Sequence, residues 1–247
     1  MPISRIFSIA LLLAYTGFSS AQAPMPSEES LERAFPKQPK FSPYVDRNFP
    51  TKVFWGDTHL HTGNSLDAGA FGARLTPDDA YKFAKGEQLT SSSGFKARLG
   101  QPLDFLVVAD HSDNMGLFTR IFESDPDILS DKEGRRIHDA IKAGGQLAVA
   151  ASVELIDAFS RGVSISDALA VEPGSPAFTS TWERIVNAAR EYNKPGQFTA
   201  FIGYEWTSLV NTGDNLHRVV IYRDGSDLAL RHEPYTTIAP LGSPDPM

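Results

Sequence analysis

Two histidines and the aspartates near them form the stretch of the sequence best suited to chemistry. His59 and His61 are separated by one residue, and Asp57 and Asp67 lie close to them. In an extended strand alternate side chains share one face, so both imidazoles project to the same side, with Asp57 beside them. Imidazole suits zinc, iron or manganese, and the carboxylates could add charge or bridge to a second ion. The same spacing also fits a surface turn, so the rest of the chain must decide.

An apolar run at residues 105–109 ends in a second pair of candidate residues, Asp110 and His111. The run is typical of a strand buried on both faces of a parallel sheet. Sites in parallel α/β folds are built at the carboxyl ends of strands, so this carboxylate and imidazole are well placed for metal or acid–base work. Asp110 could orient His111 or act as a base itself.

A third group of candidates lies towards the end of the chain. One strand-like run ends in Glu205, and His217 stands at the head of the next. The two residues could complete the first set of ligands, or both could lie at the surface. A buried Glu205 would be costly unless a metal ion or Arg218 neutralised it. Arg218 is also a candidate anion clamp, because a guanidinium matches the geometry of phosphate or sulfate.

Strand and helix patterns alternate after residue 52, which favours an α/β domain with a mainly parallel sheet or barrel. Thr76 and Gly86 mark the start and end of one predicted helix, and a polar loop follows at 87–101. The segment 115–192 is predicted to be helical, with Ser180 opening a capping box for its last helix. The strands are predicted at residues 52–55, 105–109, 198–206 and 216–222.

The first 50 residues carry signals for processing and linkage. Arg5 followed by an apolar run at residues 6–17 and small residues is the pattern of a secretory signal, and the run is too short to span a bilayer. Cleavage after Ala21 is favoured over cleavage after Ala23, which Pro24 would follow. Residues 22–50 contain six prolines and are predicted to form a linker or arm. We therefore expect export to a bacterial periplasm or beyond the cell, with no membrane segment left.

Composition narrows the chemistry further. The sequence contains no cysteine, so any metal ligands must come from His, Asp and Glu. A net charge of −7 argues against nonspecific nucleic-acid binding by a basic face. The expected partner is a small and anionic substrate, which metal ions would have to attract.

Taken in order, these motifs resemble the PHP superfamily, the polymerase and histidinol phosphatase group of metal-dependent phosphoesterases. Within it, residues 54–61, 109–112 and 202–207 look like a branch of secreted bacterial proteins known as domain of unknown function 3604. The resemblance extends from about Lys52 to the end of the chain. The matching residues are His59-Leu60-His61, Ser65-Leu66-Asp67-Ala68-Gly69, Ala109-Asp110-His111, Glu205 and His217.

The resemblance implies a distorted (β/α)7 barrel with two or three divalent ions at the carboxyl ends of its strands. The spacing to Asp67 is one residue shorter than is common in the family. Family members also continue past this length with further ligands, so we expect residues 51–247 to be the N-terminal part of such a domain, with the barrel incomplete at its C-terminus. The ligands implied are His59, His61, Asp67, His111, Glu205 and His217.

The function expected from this resemblance is hydrolysis of a phosphate ester by metal-activated water. Two other interpretations stay open. The same ligands would serve a metal-dependent lyase or a hydrolase of non-phosphate bonds, and an incomplete domain could be an inactive fragment that binds metal or a partner.

Overall fold

Parallel strands with helices packed against them position the candidate residues. The computed structural model describes residues 27–29, 52–208 and 216–237. One sheet contains three parallel strands in the order β1, β4, β5, and two further pairs, β2–β3 and β6–β7, are antiparallel. The strands are β1 (Gly56–Leu60), β2 (Leu89–Thr90), β3 (Lys96–Ala97), β4 (Phe105–Val108), β5 (Thr199–Phe201), β6 (Gly203–Thr207) and β7 (His217–Ile221).

Strand β4 lies at the centre of the parallel sheet, as its uninterrupted apolar sequence predicts. Leu106, Val107 and Val108 are fully buried. A strand covered on both faces needs apolar side chains at every position, which is why β4 lacks the alternation of a half-exposed strand. The sheet therefore delivers Asp110 and His111 to its carboxyl edge.

Strand β6 brings the C-terminal candidates to the same edge. The chain leaves β5, passes Ile202 and continues as β6. The N–H of Glu205 donates to the carbonyl of Asp110 at 2.9 Å, and the N–H of Ser112 donates to the carbonyl of Glu205 at 2.9 Å. Strand β7 pairs with the other side of β6, with Thr207 opposite His217. Glu205 is thus held directly beside the segment that follows β4.

The first predicted strand is displaced along the chain. The sequence predicts that residues 52–55 form it and that Gly56 ends it, but β1 begins at Gly56, and Val53 and Trp55 are 66% and 69% exposed. Gly56 lies opposite Phe105, and a Cβ there would come within 2.4 Å of the Phe105 carbonyl oxygen. The strand can therefore pair with β4 here only because Gly56 has no side chain. A pattern of apolar residues does not reveal this requirement.

The helices carry most of the core, and those at Pro77–Ala84 and Pro176–Tyr192 pack against the parallel sheet. The prediction for residues 76–86 is confirmed, with Thr76 and Asp79 forming a reciprocal capping box. The predicted start at Ser180 is wrong, because the last long helix begins at Pro176 with Ser175 as its cap. The helices are α1 (Leu66–Ala70), α2 (Pro77–Ala84), α3 (Leu117–Glu123), α4 (Pro126–Ser130), α5 (Lys132–Ala143), α6 (Gly145–Ser160), α7 (Pro176–Tyr192) and α8 (Ser226–Ala229), with a 3₁₀ turn at Asp167–Leu169.

Helix α7 packs against α2 and β5, which closes the core on one side of the sheet. Trp182, Phe178 and Tyr81 are among the largest fully buried side chains. The predicted loop at 87–101 contains the short β2–β3 hairpin.

The α/β class is confirmed, and the (β/α)7 barrel is not. Within the described ranges the strands form one open parallel sheet and two antiparallel pairs. The chain divides into units at residues 1–52 and 53–247, and every named element belongs to the second. The predicted signal peptide and, apart from 27–29, the proline-rich arm lie outside the described residues. Among the helices that are described, none is long and apolar enough to cross a membrane.

Candidate metal centre

Six residues predicted as ligands come together at the carboxyl edge of the sheet. His59 lies on β1 and His61 just after it, while Asp67 is in the first turn of α1. His111 follows β4. Glu205 and His217 belong to the antiparallel pair β6–β7. Residues that are close in sequence, such as His59 and His61, are therefore joined at one place by residues that only strand pairing brings there.

Glu205 is the centre of this arrangement. Its side chain is fully buried, and four imidazoles surround its carboxylate. Two rings approach each oxygen, so the negative charge is enclosed by nitrogen atoms. The closest distances are His59 Nε2 to Oε1 at 2.8 Å, His61 Nε2 to Oε2 at 3.0 Å, His111 Nδ1 to Oε2 at 3.2 Å and His217 Nδ1 to Oε1 at 3.2 Å.

Asp67 faces the opposite side of two of these rings. Its carboxylate lies 3.1 Å from His61 Nδ1 and 3.5 Å from His111 Nε2. Each of the two imidazoles therefore has one nitrogen towards Glu205 and the other towards Asp67. Asp67 thus joins the cluster in spite of its unusual spacing in the sequence.

The hydrogen bonding of Glu205 is what a metal ligand would show. Neither carboxylate oxygen accepts a hydrogen bond of acceptable geometry within the described part of the chain, although both are inaccessible to water. A buried carboxylate left in that state is costly. Nitrogen and oxygen atoms that lie this close together without aligned hydrogen bonds could hold a common cation. The donor set of imidazole and carboxylate fits zinc, manganese or iron.

The ligand atoms divide into three overlapping groups. Within each group they lie within 4.8 Å of one another, the spacing at which one ion could contact all of them. The groups share His61, His111 and Glu205, and of these only the Glu205 carboxylate, with its two oxygens, could bridge neighbouring ions. They are His59–His61–Glu205, His61–Asp67–His111 and His111–Glu205–His217.

The carboxylates of the cluster favour a proton on His61. Burial disfavours a charged imidazole at His61, but Asp67 and Glu205 outweigh it and raise its pKa to about 10. Burial opposes ionisation of Glu205 as well, and contacts with the imidazoles, His61 first, lower its pKa to about 2. The cluster therefore keeps the Asp67 and Glu205 carboxylates charged and favours a protonated His61, and a cation can replace that proton.

Asp110 faces the turn after β1 and not the cluster. Its side chain is fully buried, Oδ1 accepts from the Thr62 N–H, and Oδ2 accepts from the Thr62 hydroxyl at 2.6 Å. Burial raises the pKa of Asp110 to about 6, against the effect of these two hydrogen bonds. The carboxylate anchors the backbone that follows His61, and its predicted part as a base or as the orienting partner of His111 stays a prediction.

Arg218 lies on β7 beside His217 and is exposed. It pairs in register with Trp206, while His217 pairs with Thr207. Successive side chains of a strand point to opposite faces, so this register places Arg218 on the face away from the imidazoles. Its part as an anion clamp also stays a prediction.

A cavity of about 380 Å³ is lined by residues of α6, the following loop and the 3₁₀ turn. Leu66 and Asn114 line it, next to Asp67 and a few residues after His111, but the six clustered residues do not. We therefore treat the metal centre as a separate site.

Residues 48–246 match the model of a family described as a protein of unknown function, DUF3604. The chain belongs to the DUF3604 family. No curated protein and no solved structure matches it. Membership confirms the narrower resemblance seen in the sequence, and the DUF3604 description itself names no activity.

Two hydroxyl residues of this DUF3604 chain were missed as parts of the centre. The Ser65 hydroxyl donates to Asp67 Oδ1 at 2.6 Å, lies 2.9 Å from His61 Nδ1 and accepts from the backbone N–H of His111. Thr207 Oγ1 lies 2.8 Å from His111 Nδ1. One signal was present: Thr207 follows Glu205 at the spacing that puts both on one face of a strand.

Proposed function

We propose that this DUF3604 protein is a metal-dependent hydrolase that acts on a phosphate ester. The observation that carries the proposal is the buried Glu205 carboxylate, which four imidazoles enclose and which accepts no well-aligned hydrogen bond from the residues that the structure describes. Bound divalent ions would polarise phosphoryl oxygens and lower the pKa of bound water towards neutrality.

The ligand groups assign parts to the residues. His59 and His61 would hold one ion with Glu205, and Asp67 with His111 would hold another. His217 would bind on the far side of Glu205, which would then bridge two ions. The chain's own part is to fix these groups on strand ends so that little reorganisation is needed when substrate binds.

Charge supports an anionic substrate at this centre. The chain as a whole carries a net charge of −7 and would repel a phosphate ester. Two divalent ions would exceed the charge of Asp67 and Glu205, leaving the centre positive among neutral imidazoles. The metal would thus create the local attraction that the protein surface lacks.

The same proposal includes the wider relationship and the location. The order of the motifs supports membership of the PHP superfamily and, with it, a (β/α)7 barrel for the family. The pattern at residues 1–21 supports export to a periplasm or the outside of the cell.

The test is hydrolysis by purified protein stripped of metal and reloaded with zinc, manganese or iron. We expect turnover of at least one compound in a panel of phosphate esters. His59→Ala should lower it by more than about 100-fold, since loss of even an outer partner of a metal site costs 10–100-fold. His232→Ala is the matched control, because His232 is exposed and outside the three ligand groups.

Three results would contradict the proposal. Undiminished turnover in His59→Ala would show that the metal centre takes no part in the hydrolysis. Metal-loaded protein that hydrolyses no phosphate ester but acts on carboxylic esters or by elimination would favour the alternative hydrolase or lyase, and bound metal without any turnover would favour a binding protein.

A further inference from the structure

Thr207 contacts two of the imidazoles through one hydroxyl group. It lies on β6, is 6% exposed and pairs in register with His217. Its Oγ1 is 2.8 Å from His111 Nδ1 and 3.3 Å from His217 Nδ1. The sequence separation of 96 residues between Thr207 and His111 makes this contact a product of the fold.

The two nitrogens of His111 face different parts of the centre. Nδ1 is directed to Thr207 and to the Glu205 side, and Nε2 lies 3.5 Å from Asp67 Oδ2. A neutral imidazole has one lone pair, so it can bind a metal ion through only one nitrogen, and the hydrogen bond made by the other nitrogen decides which. His111 can therefore bind either an ion beside Asp67, through Nε2, or an ion beside Glu205 and His217, through Nδ1.

We infer that Thr207 is a positioning residue that assigns His111 to the Asp67 side of the metal centre. The hydroxyl oxygen accepts the Nδ1–H of His111, which leaves the Nε2 lone pair directed towards Asp67. His217 Nδ1 lies farther from the same hydroxyl, at 3.3 Å, and 3.2 Å from Glu205 Oε1, so its lone pair stays free for an ion on the Glu205 side.

This inference rests on the metal binding in the proposed function and adds the assignment of one ligand. Outer partners that fix the tautomer of a ligating histidine typically contribute 10–100-fold to metal affinity. Without the hydroxyl, His111 could present either nitrogen, and ions would bind it less tightly.

The experiment uses zinc as the probe, with wild type, Thr207→Val and Thr207→Ser. Nitrogen-15 NMR of the imidazoles in zinc-loaded wild type should show His111 bound through Nε2 with a proton on Nδ1. Competition with a chromophoric chelator should show zinc binding weakened about 10–100-fold in Thr207→Val and restored in Thr207→Ser. Thr181→Val is the control, because it removes another buried hydroxyl, which donates to Ala177 within α7.

The outcomes separate this inference from the proposed function. Zinc bound through Nδ1 of His111 in wild type would overturn the inference and leave the metal centre standing. Binding through Nε2 in a protein that hydrolyses no phosphate ester would support the inference and contradict the proposed function. Equal zinc affinity in Thr207→Val and wild type would also overturn it. If Thr207→Val does not fold, the spectra of wild type and Thr207→Ser still decide.

Discussion

At the scale of single residues, the centre depends on a charge that water cannot reach. Glu205 can stay ionised because imidazoles face both of its oxygens. A cation between these groups would satisfy the carboxylate and the ring nitrogens together. We therefore expect metal binding to depend on the negative charge of Glu205 more than on the volume of its side chain. A substitution that keeps the volume and removes the charge tests this.

Glu205→Gln should bind far less metal than wild type while remaining folded. The substitution keeps the shape and removes the charge shared by two of the ligand groups. We expect metal affinity to fall by at least about 100-fold, more than the loss of an outer partner. Metal content after dialysis measures this. Glu154→Gln is the control, since Glu154 lies on α6, is exposed and pairs with Arg136 of α5. Full metal content in Glu205→Gln would refute the bridging part of Glu205.

Asp110→Asn should lower the free energy of unfolding by about 1–3 kcal/mol. The amide has one oxygen in place of two, so either the N–H or the hydroxyl of Thr62 would be buried without its acceptor. Urea denaturation measures this loss. Metal content should be retained if Asp110 acts only as an anchor. A variant of wild-type stability with abolished turnover would instead support the predicted base.

Sequence reasoning found the imidazoles and carboxylates because strand ends and alternation limit where they can lie. It did not find Ser65 and Thr207, since a hydroxyl becomes part of a site only through its rotamer and its neighbours. It also placed Asp110 close to the chemistry, although both of its oxygens are taken up by Thr62.

At the scale of elements, capping signals predicted α2 well because Thr76, Pro77 and Asp79 agree on one start. The start of α7 was misplaced because Ser175-Pro176 and Ser180 both resemble helix starts, and only packing distinguishes them. The start of β1 was missed for a different reason, the close approach of Gly56 to Phe105. Local signals fail where a long-range contact sets the boundary.

Gly56→Ala should lower the free energy of unfolding by about 1–3 kcal/mol, the usual cost of adding a methyl group to a packed site. The new Cβ would clash with the backbone oxygen of Phe105, which cannot rotate away. Thermal and urea denaturation measure the effect. Gly100→Ala is the control, as a Cβ there meets nothing within 4 Å. Equal stability of both variants would show that β1 pairs differently.

An ion pair between α3 and α4 should make stability depend on pH. Arg120 Nε lies 2.9 Å from Asp125 Oδ2, and this contact lowers the pKa of Asp125 below its ordinary value. A lowered pKa in the folded state stabilises the fold above about pH 4, and the benefit is lost as the pH falls through the lowered value. Asp125→Asn keeps a good helix cap and should cost about 0.5–1 kcal/mol at neutral pH.

Urea titrations of wild type and Asp125→Asn at neutral and acidic pH check this. The difference between the two should shrink as the pH drops below about 4. A difference that stays constant with pH would assign the effect to the cap and not to the charge.

At the scale of the whole molecule, the centre is assembled from segments that are distant along the chain. His61 and Glu205 meet because β6 lies beside the residues that follow β4, with Glu205 and Asp110 joined through their backbones. The apolar runs predicted the strands and the parallel sheet, but no local pattern states which strands are neighbours. The α/β class was therefore accessible from the sequence, and the order of the strands was not.

Strand β1 lies at the rim of the parallel sheet, and this position should affect how fast its backbone exchanges hydrogen with solvent. It bears His59, yet most of its residues are exposed, whereas β4 is buried. Amide protons in β1 should therefore exchange with deuterated solvent sooner than those of β4. An ion held by His59, His61 and Glu205 would fasten this rim strand to β6, so adding zinc should slow deuterium uptake at residues 56–61 far more than in the remote helix α5. Uptake at 56–61 that ignores zinc would mean that the ion does not link the two strands.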